Sequence, residues 1–257
     1  MLRMKKRLPG KKHNPQKAQQ TTESILIKPS VIAYTLGAIA LALVLVSVTG
    51  QYLTHMTDFD KNFWLIPLMN VDLELSVPTV YSVLLLFCAF VLLAIITILK
   101  ERQKDKYLYK WGILAAGFLF MAFDEGSSFH ELMISVVYEE VGRSNLPGAF
   151  YFGWVIPGIV IVVVLGTYFS KFILALPKKT KRNFIIAAAV YLIGALGMEM
   201  TGGNYEKFNG PDNFPYTLIV AIEEGLEFTG MIVFIYALLD YIAEMYKEVP
   251  VRFSRRG

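Results

Sequence analysis

Six stretches of mostly apolar residues, separated by short polar runs, set the frame of this chain. They run over about 30–52, 79–99, 109–123, 150–172, 183–201 and 216–245. About 20 apolar residues in helix cross about 30 Å of hydrocarbon. The third stretch is shorter and continues into a polar end. Pro29, Pro78, Pro147 and Pro215 mark four of the starts. Proline is tolerated there because a first-turn N–H has no intrahelical acceptor. Gly202 and Gly203 read as a stop for the fifth helix, and Pro157 as a kink inside the fourth. The expectation is an all-α, polytopic integral membrane protein with six transmembrane helices. Its transmembrane domain covers 29–247, between a basic tail without regular structure at 1–28 and a short basic tail at 248–257.

Composition agrees with the pattern. Hydrophobic residues make up 55 % and charged residues 18 %, with a mean hydropathy of +0.48. Soluble domains carry roughly a quarter charged residues. One cysteine, Cys88, excludes a disulfide framework, a cysteine zinc site and an iron–sulfur cluster. Three histidines, His13, His55 and His130, exclude a site built on several membrane histidines. There is no internal repeat, and no nucleic-acid partner is expected.

Charge fixes the expected orientation. Residues 1–28 hold eight Lys and Arg with no apolar h-region ahead of residue 30, so the first stretch reads as a retained anchor. The tail itself reads as a topogenic segment, with contact to anionic lipid as the alternative. Of the 25 Lys and Arg, 22 fall on one side of the six-helix arrangement. Lys61, Arg143 and Lys207 fall on the other, in loops. The positive-inside rule then puts both termini in the cytoplasm of a cell-membrane protein.

The acidic residues lie mostly on the opposite side, 15 of 21. Asp58, Asp60, Asp72 and Glu74 belong to the first outer loop and read as solvated. The apolar run 63–69 beside them lies on the bilayer surface, with Trp64 as an interfacial anchor. Others sit deeper. Asp124 and Glu125 end the third helix. Glu199 lies four residues before Gly203, about 6 Å inside the outer end of the fifth. Glu223, Glu224 and Glu227 lie roughly 10 to 16 Å in along the sixth, within one arc of about 100°. An ionisable group at such depth costs several kcal/mol if it faces lipid, so it faces protein or water. Carboxylates brought this close must bind a cation, take up protons, or be screened by water and the loop bases.

Beyond Asp124 and Glu125, Gly126 reads as a helix break. Ser128-x-x-Glu131 matches a capping box, giving Glu131 a structural role. A short interfacial helix would then run to Glu140 and stop at Gly142. It would hold His130 over Asp124 and Glu125, as a ligand or proton shuttle, or as a hydrogen-bonded structural residue.

Carboxylates with one imidazole suit a hard or borderline divalent metal ion: Ca²⁺, Mg²⁺, Mn²⁺, Fe²⁺ or Zn²⁺. The paired Glu-x-x-His pattern of a di-iron centre is missing. The first functional expectation is a metal-dependent membrane enzyme. Asp124, His130, Glu199, Glu223 and Glu227 are its candidate metal ligands, and Glu125 and Glu224 its candidate catalytic carboxylates. A membrane lipid or lipid-linked substrate would reach the site between helices. The alternative is a cation or proton transporter or channel. Inner half-helices nearly free of ionisable groups argue against a full pathway, unless a homo-oligomer builds a pore on its symmetry axis. A third reading is an accessory subunit of a membrane complex whose acids dock a partner.

Overall fold

The computed structural model describes residues 28–246, except the side chains at 130–133, 136 and 144. The two basic tails therefore lie outside the described residues, apart from Lys28. The described chain is helical throughout, with no strand. Its helices are α1 (Pro29–Met56), α2 (Leu65–Met69), α3 (Val77–Arg102), α4 (Leu108–Ser127), α5 (Phe129–Val141), α6 (Val155–Ala175), α7 (Lys178–Leu192), α8 (Glu199–Asn209) and α9 (Phe214–Met245). A π-helical turn, Ile193–Met198, joins α7 to α8 without a break. Four helices are long and apolar enough to cross a membrane: α1, α3, α6 and the continuous 178–209 helix. α4 carries Lys110, Asp124 and Glu125, and α9 carries five acids, so both are more polar than these four.

α9 is the centre of the bundle and packs against α1, α3 and α7. Twelve of its residues are buried. α4 lies on α3, while α6 leans on α7 and the π-helical turn. The valines and isoleucines of α6 are largely exposed, as lipid-facing residues are. Local signals explain several boundaries. Ser76 caps α3 by accepting the Thr79 N–H, and Asn213 caps α9 by accepting that of Tyr216. Pro29, Pro78 and Pro215 stand in first turns, as expected.

Four local expectations are overturned. Gly202 and Gly203 do not stop the fifth helix, which continues to Asn209. A Cβ on Gly203 would lie 3.1 Å from the Phe152 ring and 3.3 Å from the Gly148 carbonyl oxygen. These glycines let the 148–153 segment lie directly on α8, and the stop is Gly210, at φ +77°. Pro157 falls in the first turn of α6, where its missing N–H breaks no helical bond. Gly126 stays helical; the break comes at Ser128, in the left-handed region at φ +52°. Ser128 makes no side-chain cap bond to α5, so the capping box does not form. Its αL backbone already turns the chain between the two helices.

Aromatic side chains close one end of the bundle. Trp111, near the start of α4, packs edge-on to Phe172 at 4.9 Å and stacks with Tyr241 at 5.2 Å. Phe118 stacks on Phe234 at 4.7 Å, and Phe184 meets the same ring at 4.8 Å. Trp111, Phe172 and Phe184 are buried. At this end Lys100 is also buried, bound to Asp105 at 3.2 Å and facing the rings of Tyr241 and Tyr246. It is the end that holds the Lys- and Arg-rich connections.

Candidate functional site

The opposite end is open and acidic. A cavity of about 160 Å³ lies between the 71–74 segment, the start of α3, the end of α4 and α9. Asp72, Glu74, Thr79, Glu125, Glu223 and Glu224 supply its polar wall. It is large enough to hold water among several polar partners.

Close helix packing builds this wall. A Cβ on Gly194 would lie 2.9 Å from the Glu223 carbonyl oxygen and 3.0 Å from Glu227 Cγ. On Gly230 it would lie 2.7 Å from both the Cβ and backbone nitrogen of Tyr191. These two missing methyls let the 178–209 helix and α9 touch backbone to backbone, a known use of small residues in membranes. The contact aligns the polar side chains of the two helices. Tyr191 is apposed to Glu227. The Glu199 carboxyl is apposed to that of Glu223. From α6's N-cap, Trp154 Nε1–H donates to Glu199 Oε1 at 2.7 Å. Because α8 runs on to Asn209, Glu199 lies ten residues inside the helix end, about 15 Å rather than 6 Å. It also directly follows the π-helical turn, a distortion frequent at functional sites.

The loop between α1 and α3 is part of the site. Val71 N–H donates to the buried Ser47 hydroxyl of α1 at 3.0 Å, which fixes the loop over α9. Asp72 and Glu74 are exposed, as expected, and they also line the cavity. Asp72 keeps an exposed flank. Burial of its carboxyl pushes its pKa up to about 6, and the charges of Glu199 and Glu206 push it the same way. Asp58 and Asp60 are exposed, as expected.

The Asp72 shift has a measurable consequence. An aspartate titrates near 3.9 when unfolded, so between about pH 4 and 6 the folded chain holds a proton that the unfolded chain has lost. Stability therefore falls as pH rises through that window and levels above it. Solvent on the exposed flank reduces the size of the effect. Asp72→Asn is expected to unfold at a higher temperature than the parent protein at about pH 7.5 and at the same temperature at about pH 4. An equal difference at both pH values in thermal unfolding would count against a desolvated Asp72.

Two of the three bases set apart by the charge count, Arg143 and Lys207, lie at this end of the bundle. Arg143, in a 3₁₀ turn, pairs with Glu206 of α8 at 2.8 Å. Lys207 is in α8 rather than a loop, and donates to the Leu146 carbonyl at 2.5 Å. Among the described residues, neither Glu223 nor Glu224 is joined to a lysine or arginine.

Of the sequence-derived site residues, Glu125, Glu223 and Glu224 share the cavity, with Glu199 and Glu227 linked to it through α9. Asp124 is half-buried at the end of α4. The His130 side chain lies outside the described residues. No group of three or more Asp, Glu, His or Cys among the described residues is gathered so as to hold a metal ion. The sequence reading misses Asp72, Trp154, Tyr191 and Glu206. Each joins the site through tertiary contacts, and no local motif marks any of them.

No curated protein and no solved structure matches the chain. One family model does, over residues 36–242, which cover all of the helices but the first turns of α1 and the last residues of α9, and the whole acidic end. The chain thus belongs to the family described as "Domain of unknown function (DUF8692)".

Proposed function

We propose that this is a six-span cell-membrane protein, with both termini in the cytoplasm, that exchanges protons for a cation through its outward-opening carboxyl cavity. The apposition of the Glu199 and Glu223 carboxyls carries the reading. Two ionised carboxylates repel and can only accept hydrogen bonds, so a pair packed together is relieved when one holds a proton. The pair is then a proton store within two packed helices. Release of that proton leaves like charges in contact, which a cation beside them relieves. Proton and cation become alternatives for the same oxygens, and that competition is the basis of exchange.

Three features support the remaining parts of the proposal. α4 and α9 have 20 and 32 residues, enough at 1.5 Å per residue to span about 30 Å. Glu125 of α4 and Glu223 and Glu224 of α9 face a protein cavity, which makes these helices tolerable as the third and sixth spans. The aromatic floor at the Lys- and Arg-rich end suits a closed inner gate beneath an outward-open cavity. Exchange is preferred to metal-dependent chemistry because the acids are tied to one another, to Trp154 and to Tyr191 rather than to a common point.

Reconstitution tests this directly. Purified protein in liposomes carrying an internal pH dye is given an inward gradient of Na⁺, K⁺, Mg²⁺, Ca²⁺ or methylguanidinium chloride. At least one cation is expected to raise internal pH faster than in protein-free liposomes. If none does, the exchange reading is wrong.

A further inference from the structure

At the rim of the cavity, Arg143 rests in a cage with the chemistry of a cation-binding site. Its guanidinium lies 4.3 Å from the centre of the Tyr151 ring and 5.4 Å from that of Tyr138. The same group bonds to Glu206 Oε1 at 2.8 Å. A stacked aromatic face with a carboxylate is how proteins recognise guanidinium and ammonium groups. The cage is itself well ordered by hydrogen bonds. Tyr138 Oη–H donates to the Tyr151 carbonyl at 2.6 Å, and Tyr216 Oη–H donates to Glu206 Oε2 at 3.5 Å.

The occupant differs from the cage in exposure. The Glu206 side chain is 13 % exposed and that of Arg143 47 %. Arg143 reaches in from a short 3₁₀ turn that follows Gly142, at φ +81°. A largely buried carboxylate is thus neutralised by a side chain that solvent can replace. The cage adjoins the cavity through Tyr216, which bonds Glu206 and packs with Val71 and Val220 of the cavity wall.

We propose that the cage of Tyr138, Tyr151 and Glu206 is the outer binding station for an organic cation bearing a guanidinium or primary ammonium group. Arg143 occupies it in the empty protein as a tethered competitor. This rests on the cation-exchange reading of the cavity and names the chemical class of its cation. A tethered group acts at a high effective concentration, so it raises the apparent Kd of any free competitor. An incoming cation displaces Arg143, neutralises Glu206 and stands next to the acids of the cavity.

The experiment is calorimetric titration of methylguanidinium chloride into purified protein, with sodium chloride at equal ionic strength as control. Arg143→Ala is expected to bind the probe about tenfold or more tightly than the parent protein. Adding Tyr151→Leu or Glu206→Gln to that variant is expected to abolish the gain. Arg143→Met keeps the apolar stem against Tyr151 without the charge, and decides the matter if the alanine variant does not fold. The proposal is overturned by equal affinity in parent and Arg143 variants, by a gain that survives loss of Tyr151 or Glu206, or by equal heats with sodium. Failure here with intact cation-driven proton flux removes only the rim site. Binding here without any such flux removes exchange and leaves the station standing.

Discussion

Replacing Gly230 with alanine is expected to part α7 from α9 and cost about 3 kcal/mol of stability, the upper end for overpacking a tight core. The added methyl would lie 2.7 Å from the Cβ and backbone nitrogen of Tyr191 and 2.8 Å from its Cα. None of these atoms can rotate away, so the helices themselves must move. Gly194 makes the reciprocal contact with the backbone of Glu223 and Glu227. Separation would pull Tyr191 from Glu227 and Glu199 from Glu223, so the polar site is lost along with the packing. Gly225, also on α9, is the internal control. Nothing lies within 4 Å of a Cβ there, and alanine in place of a mid-helix glycine with room for its methyl stabilises by about 0.5–1 kcal/mol. Thermal unfolding in detergent, followed by tryptophan fluorescence, compares the two. Equal midpoints for Gly230→Ala and Gly225→Ala would show that the helices have room to spare.

The same glycines show which parts of the molecule can be read from its residues. Helix positions follow from apolar length, and the starts at Pro29, Pro78 and Pro215 from the free first-turn N–H. Those are local effects, written in neighbouring residues. Gly202 and Gly203 mislead because glycine has two unrelated uses: ending a helix, or admitting another backbone. Sequence alone does not say that Phe152 and Gly148 come to rest on them. Pro157 misleads because α6 starts at Val155 rather than near residue 150, which turns a kink into an ordinary first turn.

The acidic end divides in the same way. Glu223 and Glu224 are legible because their helical arc and depth leave them no place but a protein interior. Asp72 is not, for it sits in a polar loop indistinguishable from that of Asp58. Only the bond from Val71 to Ser47, 24 residues earlier, brings it over the cavity. Glu206 and Arg143 are 63 residues apart, and their pairing likewise needs the folded chain. The metal expectation comes from counting carboxylates at similar depth. Depth does not fix convergence, and the described acids spread along a wall instead of closing on a point.

The Glu223→Gln substitution is expected to leave the fold intact and abolish proton exchange. Glu199 already accepts the Trp154 N–H, and in the proposed exchange Glu223 is the member of the pair that holds the proton. The substituted amide has the same shape as the carboxyl and donates an N–H to Glu199 in place of that proton. Stability should stay within about 1 kcal/mol of the parent, because the hydrogen bond is replaced rather than removed. An amide N–H cannot dissociate at physiological pH, so cation-driven alkalinisation should fall to that of protein-free liposomes. Glu224→Gln is the matched control, one residue away and in the same cavity wall but outside the pair. It replaces another carboxyl of the same wall, and should weaken cation binding while leaving exchange in place. Equal loss in both variants would mean that wall charge alone governs the flux. Undiminished exchange in Glu223→Gln would mean that the transported proton is stored elsewhere. Only loss at 223 with survival at 224 ties the chemistry to a shared proton, since both variants replace a carboxyl of the same wall and only one of them replaces a member of the pair.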